Sequence, residues 1–331
     1  MSDLRLTFAA NQSLQIQDLA NGKIRPSGIE LTFLEMAIEE NNDRFMHFHE
    51  WEISEASFGN FCASMSQPDP ATVALPIFTS RVFRHSALYV REGSDIKSPS
   101  DLKNRKIGIP QWSQTATIYV RGYLSHDCNV PLESVEWIQA GVNDPGRQET
   151  AKIDLPPGIR LRSRPDTTLG EMLSKGEIDA VISARPPDMF NAGTYGIRRL
   201  FPNYREEEER YFKKTGIFPI MHIIVLRRDA YEANRWIARN LLDAFDAAKR
   251  AAVRRLADQG YSYLPSAWGQ HQIALENGVL FGKGEPWPYG IEPNRKTLEA
   301  FLGYCHEQGV TKRRLGLEEL FPKELSITIR V

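Results

Sequence analysis

The chain has 331 residues, 41% of them hydrophobic and 25% charged, with a formal net charge of -1. That length exceeds one ordinary core and fits two domains. The near-neutral balance lacks the basic excess that binding to a phosphate backbone demands, which argues against nucleic acid as a partner. No apolar run approaches the roughly 18 residues of a membrane helix, so no membrane partner is expected. The opening residues, Met1 to Ala10, enter a strand-like Leu4-Arg5-Leu6-Thr7-Phe8 rather than a charged and apolar leader. Cys62, Cys128 and Cys305 have neither metal nor redox spacing and read as reduced core thiols, which places the chain in the cytoplasm.

After the first strand, Asn11 to Ala20 reads as a helix with Asn11 as N-cap, and Ile29 to Leu34 as the next strand. Glu39 to Phe48 has the composition of a short helix. Trp51 to Ser57 reads as a strand breaking into a helix, and Thr72 to Ile77 as a buried strand. Phe78 to Arg91 is an extended connector, with Arg81, Arg84 and His85 in its first half and Ala87 to Val90 strand-like in its second. Regular alternation there puts Arg84 on the face opposite Arg81 and His85.

Beyond the connector, the strand Lys106 to Ile109 is followed by Trp112-Ser113-Gln114-Thr115 and a helix to about Ser125. A strand, a polar turn and a helix can aim free backbone N–H groups at an anion. Val135 to Ile138 and Ile159 to Ser163 read as strands around a turn that contains Arg147, and Ile178 to Ile182 as a strand ending at Arg185. A second connector, Gly216 to Leu226, places His222 at the start of an apolar strand, mirroring His85. From Asp229 the chain turns helical, with the stripe Ile237, Leu241, Phe245, Ala248, Ala252 and Leu256, then two more helices at Ser266 to Leu280 and Asn294 to Gln308.

Alternating strands and helices predict an α/β protein with a mainly parallel sheet and a crevice at the strands' carboxyl ends. The expected division is one lobe from residues 1–84 and 222–331 and a second from 85–221. Two such lobes with two crossing strands and a helical carboxyl-terminal third resemble the type II periplasmic binding proteins. Several stretches resemble a narrower group, the 4,5-dihydroxyphthalate decarboxylases: Glu52-Ile53-Ser54-Glu55-Ala56-Ser57-Phe58-Gly59, Ser80-Arg81-Val82-Phe83-Arg84-His85-Ser86, Arg185-Pro186-Pro187, and the run from Trp287 to Leu298. That resemblance spans nearly the whole chain. It implies a cytoplasmic carboxy-lyase that acts on an aromatic dicarboxylate without a cofactor; homo-oligomerisation is left open.

A benzene ring with two adjacent carboxylates and two adjacent hydroxyls asks the protein to hold two anions, take a phenolic proton and deliver a proton to carbon. Arg81, Arg147 and Arg185 are the candidates for the anions, because a guanidinium grips a carboxylate bidentately. Ser113, Gln114 and Thr115 could add neutral donors. Trp112 either stacks on the ring or fills the interdomain seam. His85 and His222 are the proton-transfer candidates, with Glu52 or Glu55 assisting. A metal-assisted alternative rests on His47-Phe48-His49-Glu50, but these residues precede the third strand and belong to the far end of the sheet, so no metal is expected. A solute-binding protein for an aromatic carboxylate is the alternative from another functional class.

Overall fold

The computed structural model describes residues 3–191 and 196–326, and in it the alternating pattern resolves into two mixed sheets. The first takes the order β2-β1-β3-β11-β4, from β1 (Leu4–Ala10), β2 (Ile29–Glu35), β3 (Ile53–Ser57), β4 (Thr72–Arg81) and β11 (Ile220–Arg227). β1 runs parallel to β2 and β3, whereas β11 is inserted antiparallel between β3 and β4. The second sheet has the order β10-β5-β9-β6-β7-β8, from β5 (Leu88–Arg91), β6 (Lys106–Ile109), β7 (Glu136–Gly141), β8 (Arg160–Thr168), β9 (Ala180–Ile182) and β10 (Ile197–Arg199). β4 and β11 are covered on both faces, which is why they read as continuous apolar runs rather than alternating ones.

The helices are α1 (Gln17–Ala20), α2 (Ile38–Phe48), α3 (Phe58–Met65), α4 (Thr115–Cys128), α5 (Leu169–Lys175), α6 (Asp188–Asn191), α7 (Tyr204–Thr215), α8 (Arg228–Ala233), α9 (Ile237–Ala257), α10 (Gly269–Leu280) and α11 (Arg295–Glu307). α9 buries Ile237, Leu241, Phe245, Ala248 and Ala252 of its expected stripe, while Leu256 near its end is half-buried, and Phe245 meets Phe8 of β1 edge to face. The first sheet forms the core of lobe I and the second that of lobe II. No helix among the described residues is long and apolar enough to cross a membrane.

Two local expectations change. The helix expected from Asn11 contracts to Gln17–Ala20, because the Asn11 amide donates to Glu55 Oε2 at 3.1 Å and Asn11 no longer caps a helix. In the connector, β4 continues to Arg81 and the chain then makes a 3₁₀ turn at His85–Ala87 before β5. That turn breaks the strand alternation on which the separation of Arg84 from His85 was based.

The carboxyl-terminal third fastens the two lobes together on one side. Phe301 of α11 stacks on Phe58 of α3 at 4.5 Å and on Tyr119 of α4 at 4.7 Å. Arg121 of α4 is fully buried; it lies 3.8 Å over the Trp112 ring and donates to Gln308 Oε1 at 2.8 Å and to the Trp112 carbonyl at 2.6 Å. Below this, the starts of α3 and α4 touch: Thr115 Oγ1 meets Ser57 Oγ and accepts from the Gly59 N–H, both at 2.9 Å. A Cβ on Gly59 would stand 2.3 Å from the Ser113 carbonyl oxygen, so only glycine permits this approach. Gly59→Ala is therefore expected to cost about 1–3 kcal/mol, read as a lowered urea midpoint, and an unchanged midpoint would show that the two helix starts can separate freely.

Candidate active site

Glu55 and His222 come together on two inner strands of the first sheet, β3 and β11. β11 pairs with β3 so that His222 stands opposite Ser57 and Ile224 opposite Glu55, placing both titratable side chains on one face. Nδ1 of His222 lies 3.0 Å from Glu55 Oε1, which also accepts from Thr79 Oγ1 at 2.7 Å, while Oε2 accepts from the Asn11 N–H. Glu55 is buried. Burial pushes its carboxyl up, but His222, Thr79 and the Asn11 amide outweigh it and hold the group below the usual carboxylate value. With Glu55 ionised, the proton belongs on Nδ1 of His222, and Nε2 keeps its lone pair. Nε2 has no hydrogen bond to another described residue.

Glu52 has a different position. An odd spacing on a strand sends Glu52 and Glu55 to opposite faces. Glu52 precedes β3, accepts from the Thr7 N–H at 2.9 Å and lies 3.7 Å from Arg227, at the other end of the strand.

Arg147 and Arg185 belong to lobe II. Arg147 donates to Gln111 Oε1 at 2.8 Å. Arg185, just past β9, forks onto Glu39 of lobe I, with Nε donating to Oε1 at 2.7 Å and Nη2 to Oε2 at 2.9 Å. The anion cradle expected at the start of α4 is occupied by the chain itself. Glu149 Oε2 accepts from the N–H groups of Trp112 at 2.5 Å and Ser113 at 3.3 Å, and Oε1 meets Ser113 Oγ. Gln114 is the N-cap, and its Oε1 is buried without a partner.

The remaining candidates lie elsewhere. His85 is boxed by Tyr123 at 4.4 Å, Tyr211 at 5.2 Å and Phe201 at 5.9 Å between ring centroids. Both its ring nitrogens are buried without a hydrogen bond, its Nδ1 stands 4.0 Å from Glu208, and burial pushes its pKa down to about 4. Arg81 gives its two terminal nitrogens to Asn294 Oδ1 at 2.7 Å and the Phe218 carbonyl at 2.8 Å; it lines a cavity of about 460 Å³ with Phe218 and Trp287. Trp112 is buried under Arg121, edge-on to Trp137, with Nε1 donating to the Gln308 carbonyl, so it fills the seam between α4 and the carboxyl-terminal third. His47 and His49 close α2 at the end of the sheet away from Glu55; among the described residues no group of three or more His, Cys, Asp or Glu could hold a metal.

Sequence reasoning passed over Thr79, Glu39 and Glu149. Thr79 could have been found two residues before Arg81 on a strand. Glu149, two residues past Arg147 in a loop, carried no signal.

No family model matches the chain. Two curated proteins do. It is 31% identical to the 4,5-dihydroxyphthalate decarboxylase of Comamonas testosteroni over 322 residues, 97% of each chain. It is 32% identical to the Pseudomonas putida protein of the same name over 202 residues, covering 61% of this chain and 78% of that one. Among solved structures, it is similar to the periplasmic aliphatic sulphonate binding protein SsuA from Escherichia coli, with a TM-score of 0.55 at 12% identity, covering 98% of this chain and 99% of that one. The desulfurization enzyme DSZB gives 0.52 at 17% identity, covering 97% of each. These two likenesses support the fold, and the near-full-length likeness to the Comamonas protein supports more: the chain belongs to the 4,5-dihydroxyphthalate decarboxylase family, carboxy-lyases on a type II periplasmic-binding-protein-like fold.

Proposed function

We propose that the protein converts 4,5-dihydroxyphthalate to 3,4-dihydroxybenzoate and carbon dioxide between its two lobes, in the cytoplasm. The substrate comes from the two relatives that carry its name. The observation that carries the chemistry is the buried Glu55 carboxylate held against Nδ1 of His222. The compartment follows from the three free cysteines.

Each carboxylate of this substrate lies para to a hydroxyl. Protonating the ring carbon that bears the departing carboxylate interrupts the ring's aromaticity, and the para hydroxyl, giving its proton to water, lets oxygen feed its electron pair into that intermediate. The bond to the carboxylate then cleaves. Its electron pair restores the ring, and carbon dioxide leaves. Summed over the cycle, one proton from water replaces the carboxylate. The phenol supplies the electrons, so the reaction calls for charge placement and proton transfer.

His222 is the proton carrier in this reading. Its Nε2 takes up a proton and delivers it to the ring carbon. Glu55, tied by Thr79 and the Asn11 amide, fixes the ring and its tautomer. Arg147 and Arg185 hold the carboxylates, because the start of α4 is committed to Glu149. Arg81 fastens the connector to Asn294 and Phe218. His85, neutral among aromatic rings, has no place in the proton path, and Glu52 steadies the outer end of β3.

His222→Ala is expected to lower kcat by about 10²- to 10⁴-fold, whereas His85→Asn leaves carbon dioxide release nearer to normal; the reverse order would remove His222 from the mechanism. Arg147→Ala and Arg185→Ala should each raise KM by roughly 10- to 100-fold, the cost of one charge-assisted hydrogen bond, and unchanged KM values would put the carboxylates elsewhere. For Glu55 the sign follows from its lowered carboxyl: an ionised group favoured by folding adds stability above its ordinary value of 4.5, and that contribution fades as pH falls through the lower folded value. The stability gap between wild type and Glu55→Gln should therefore narrow from pH 7 to pH 3 in denaturant titrations; a constant gap would count against an ionised Glu55.

A further inference from the structure

Glu39 lies in the first turn of α2 in lobe I, and Arg185 follows β9 in lobe II; 146 residues apart in sequence, they meet across the gap between the sheets. The contact is a two-point fork at 2.7 and 2.9 Å, the geometry a guanidinium adopts with any carboxylate it binds. Arg147 also acts on the same group. Burial pushes the Glu39 carboxyl up, yet the Arg185 hydrogen bonds and the charges of Arg185 and Arg147 bring it below the usual range. Arg185, given to the substrate, therefore already grips a carboxylate of the protein's own.

Position and exposure indicate what this contact does. On the other side of the molecule, α11 joins α3 to α4 through stacked rings and a buried guanidinium, a junction that yields only at high cost. Glu39 and Arg185 are held by no such packing: their side chains are 42% and 70% exposed, and water screens a pair of that kind, so that it exchanges readily. The separation of the lobes is thus easiest where this ion pair stands.

We propose that Glu39 is a displaceable internal carboxylate that competes with the substrate for Arg185, so that entry of a dicarboxylate exchanges one carboxylate for another and Glu39 sets the affinity. The inference rests on the reading that Arg185 holds a substrate carboxylate. It adds a residue that binds no ligand yet tunes selectivity, because a monocarboxylate must give up the same Glu39 contact with one anion fewer to spend elsewhere in the cleft.

The test uses the full-length chain and phthalate, which has both carboxylates but lacks the hydroxyls the reaction needs, with binding read by calorimetry. Glu39→Gln keeps the side-chain shape and removes the charge; it should bind phthalate roughly two- to fivefold tighter than wild type, with Glu39→Ala as the second variant and thermal melts reporting folding of both. In an Arg185→Ala background the gain from Glu39→Gln should vanish, because there is no arginine left to free. Unchanged or weaker binding by both Glu39 variants, no binding by any of the proteins, or a gain that persists without Arg185 overturns the proposal. Failure of the parent reading shows separately, as wild-type protein that releases no carbon dioxide from 4,5-dihydroxyphthalate.

Discussion

The architecture depends on one buried junction, where Phe301 is stacked between Phe58 and Tyr119 and the Arg121 guanidinium is closed in by Trp112 and Gln308. The aromatic part is favourable through buried area and dispersion alone. The charged part is not. A guanidinium taken out of water costs several kcal/mol unless its donors are met, and burial pushes the pKa of Arg121 down to about 9. Part of that cost is offset: Nε meets the Gln308 side chain, Nη2 the Trp112 carbonyl, and an indole face covers the group, while Nη1 is left buried without a partner. A helix from the last third of the chain thereby fixes the distance between two lobes whose own contacts, at the starts of α3 and α4, are small and polar.

That junction gives the molecule a rigid side and a soft side, and the groups suited to chemistry follow the division. Glu55 and His222 sit on strands of lobe I whose neighbours are buried on both faces, so their separation of 3.0 Å is held by the sheet rather than by loops. The arginines lie on lobe II segments beyond the ends of β7 and β9; Arg185 is exposed and free to change partner, whereas Arg147 is half-buried on Gln111. Acidic side chains of the protein itself occupy two features of lobe II that could otherwise meet an anion, Glu149 at the start of α4 and Glu39 on Arg185.

Much of the fold was legible in the sequence because the apolar periodicities that define strands and helices are also what the two cores bury: β1 to β3, α2, α4, α9 and α11 fall where the pattern put them, within a few residues at their ends. The family was legible too, from stretches such as Glu52 to Gly59 and Trp287 to Leu298. What the sequence did not carry was partnership. His85 and His222 look equivalent, each near the start of a crossing strand, yet one is packed against three aromatic rings and the other faces a carboxylate, and nothing local distinguishes them. Asn11 looked like a helix cap until Glu55, 44 residues away, took its amide. The fork between Arg185 and Glu39 joins residues whose neighbours in sequence say nothing about each other.

The place of β11 has a consequence for how the chain is made. By Arg81 a ribosome has supplied four strands of the first sheet, but β3 and β4 are not neighbours in it; β11, some 140 residues later, fills the gap between them and pairs with both. Until Ile220 to Arg227 emerges, two strand edges rich in apolar side chains lack their partner, and lobe II is synthesised entirely within that interval. The second lobe can close on its own strands first, although it begins later. His222 reaches Glu55 in the same event that completes the first sheet, so the pairing of acid and imidazole is a late product of assembly, and a nascent chain stalled before β11 has neither a finished lobe I nor a reactive centre.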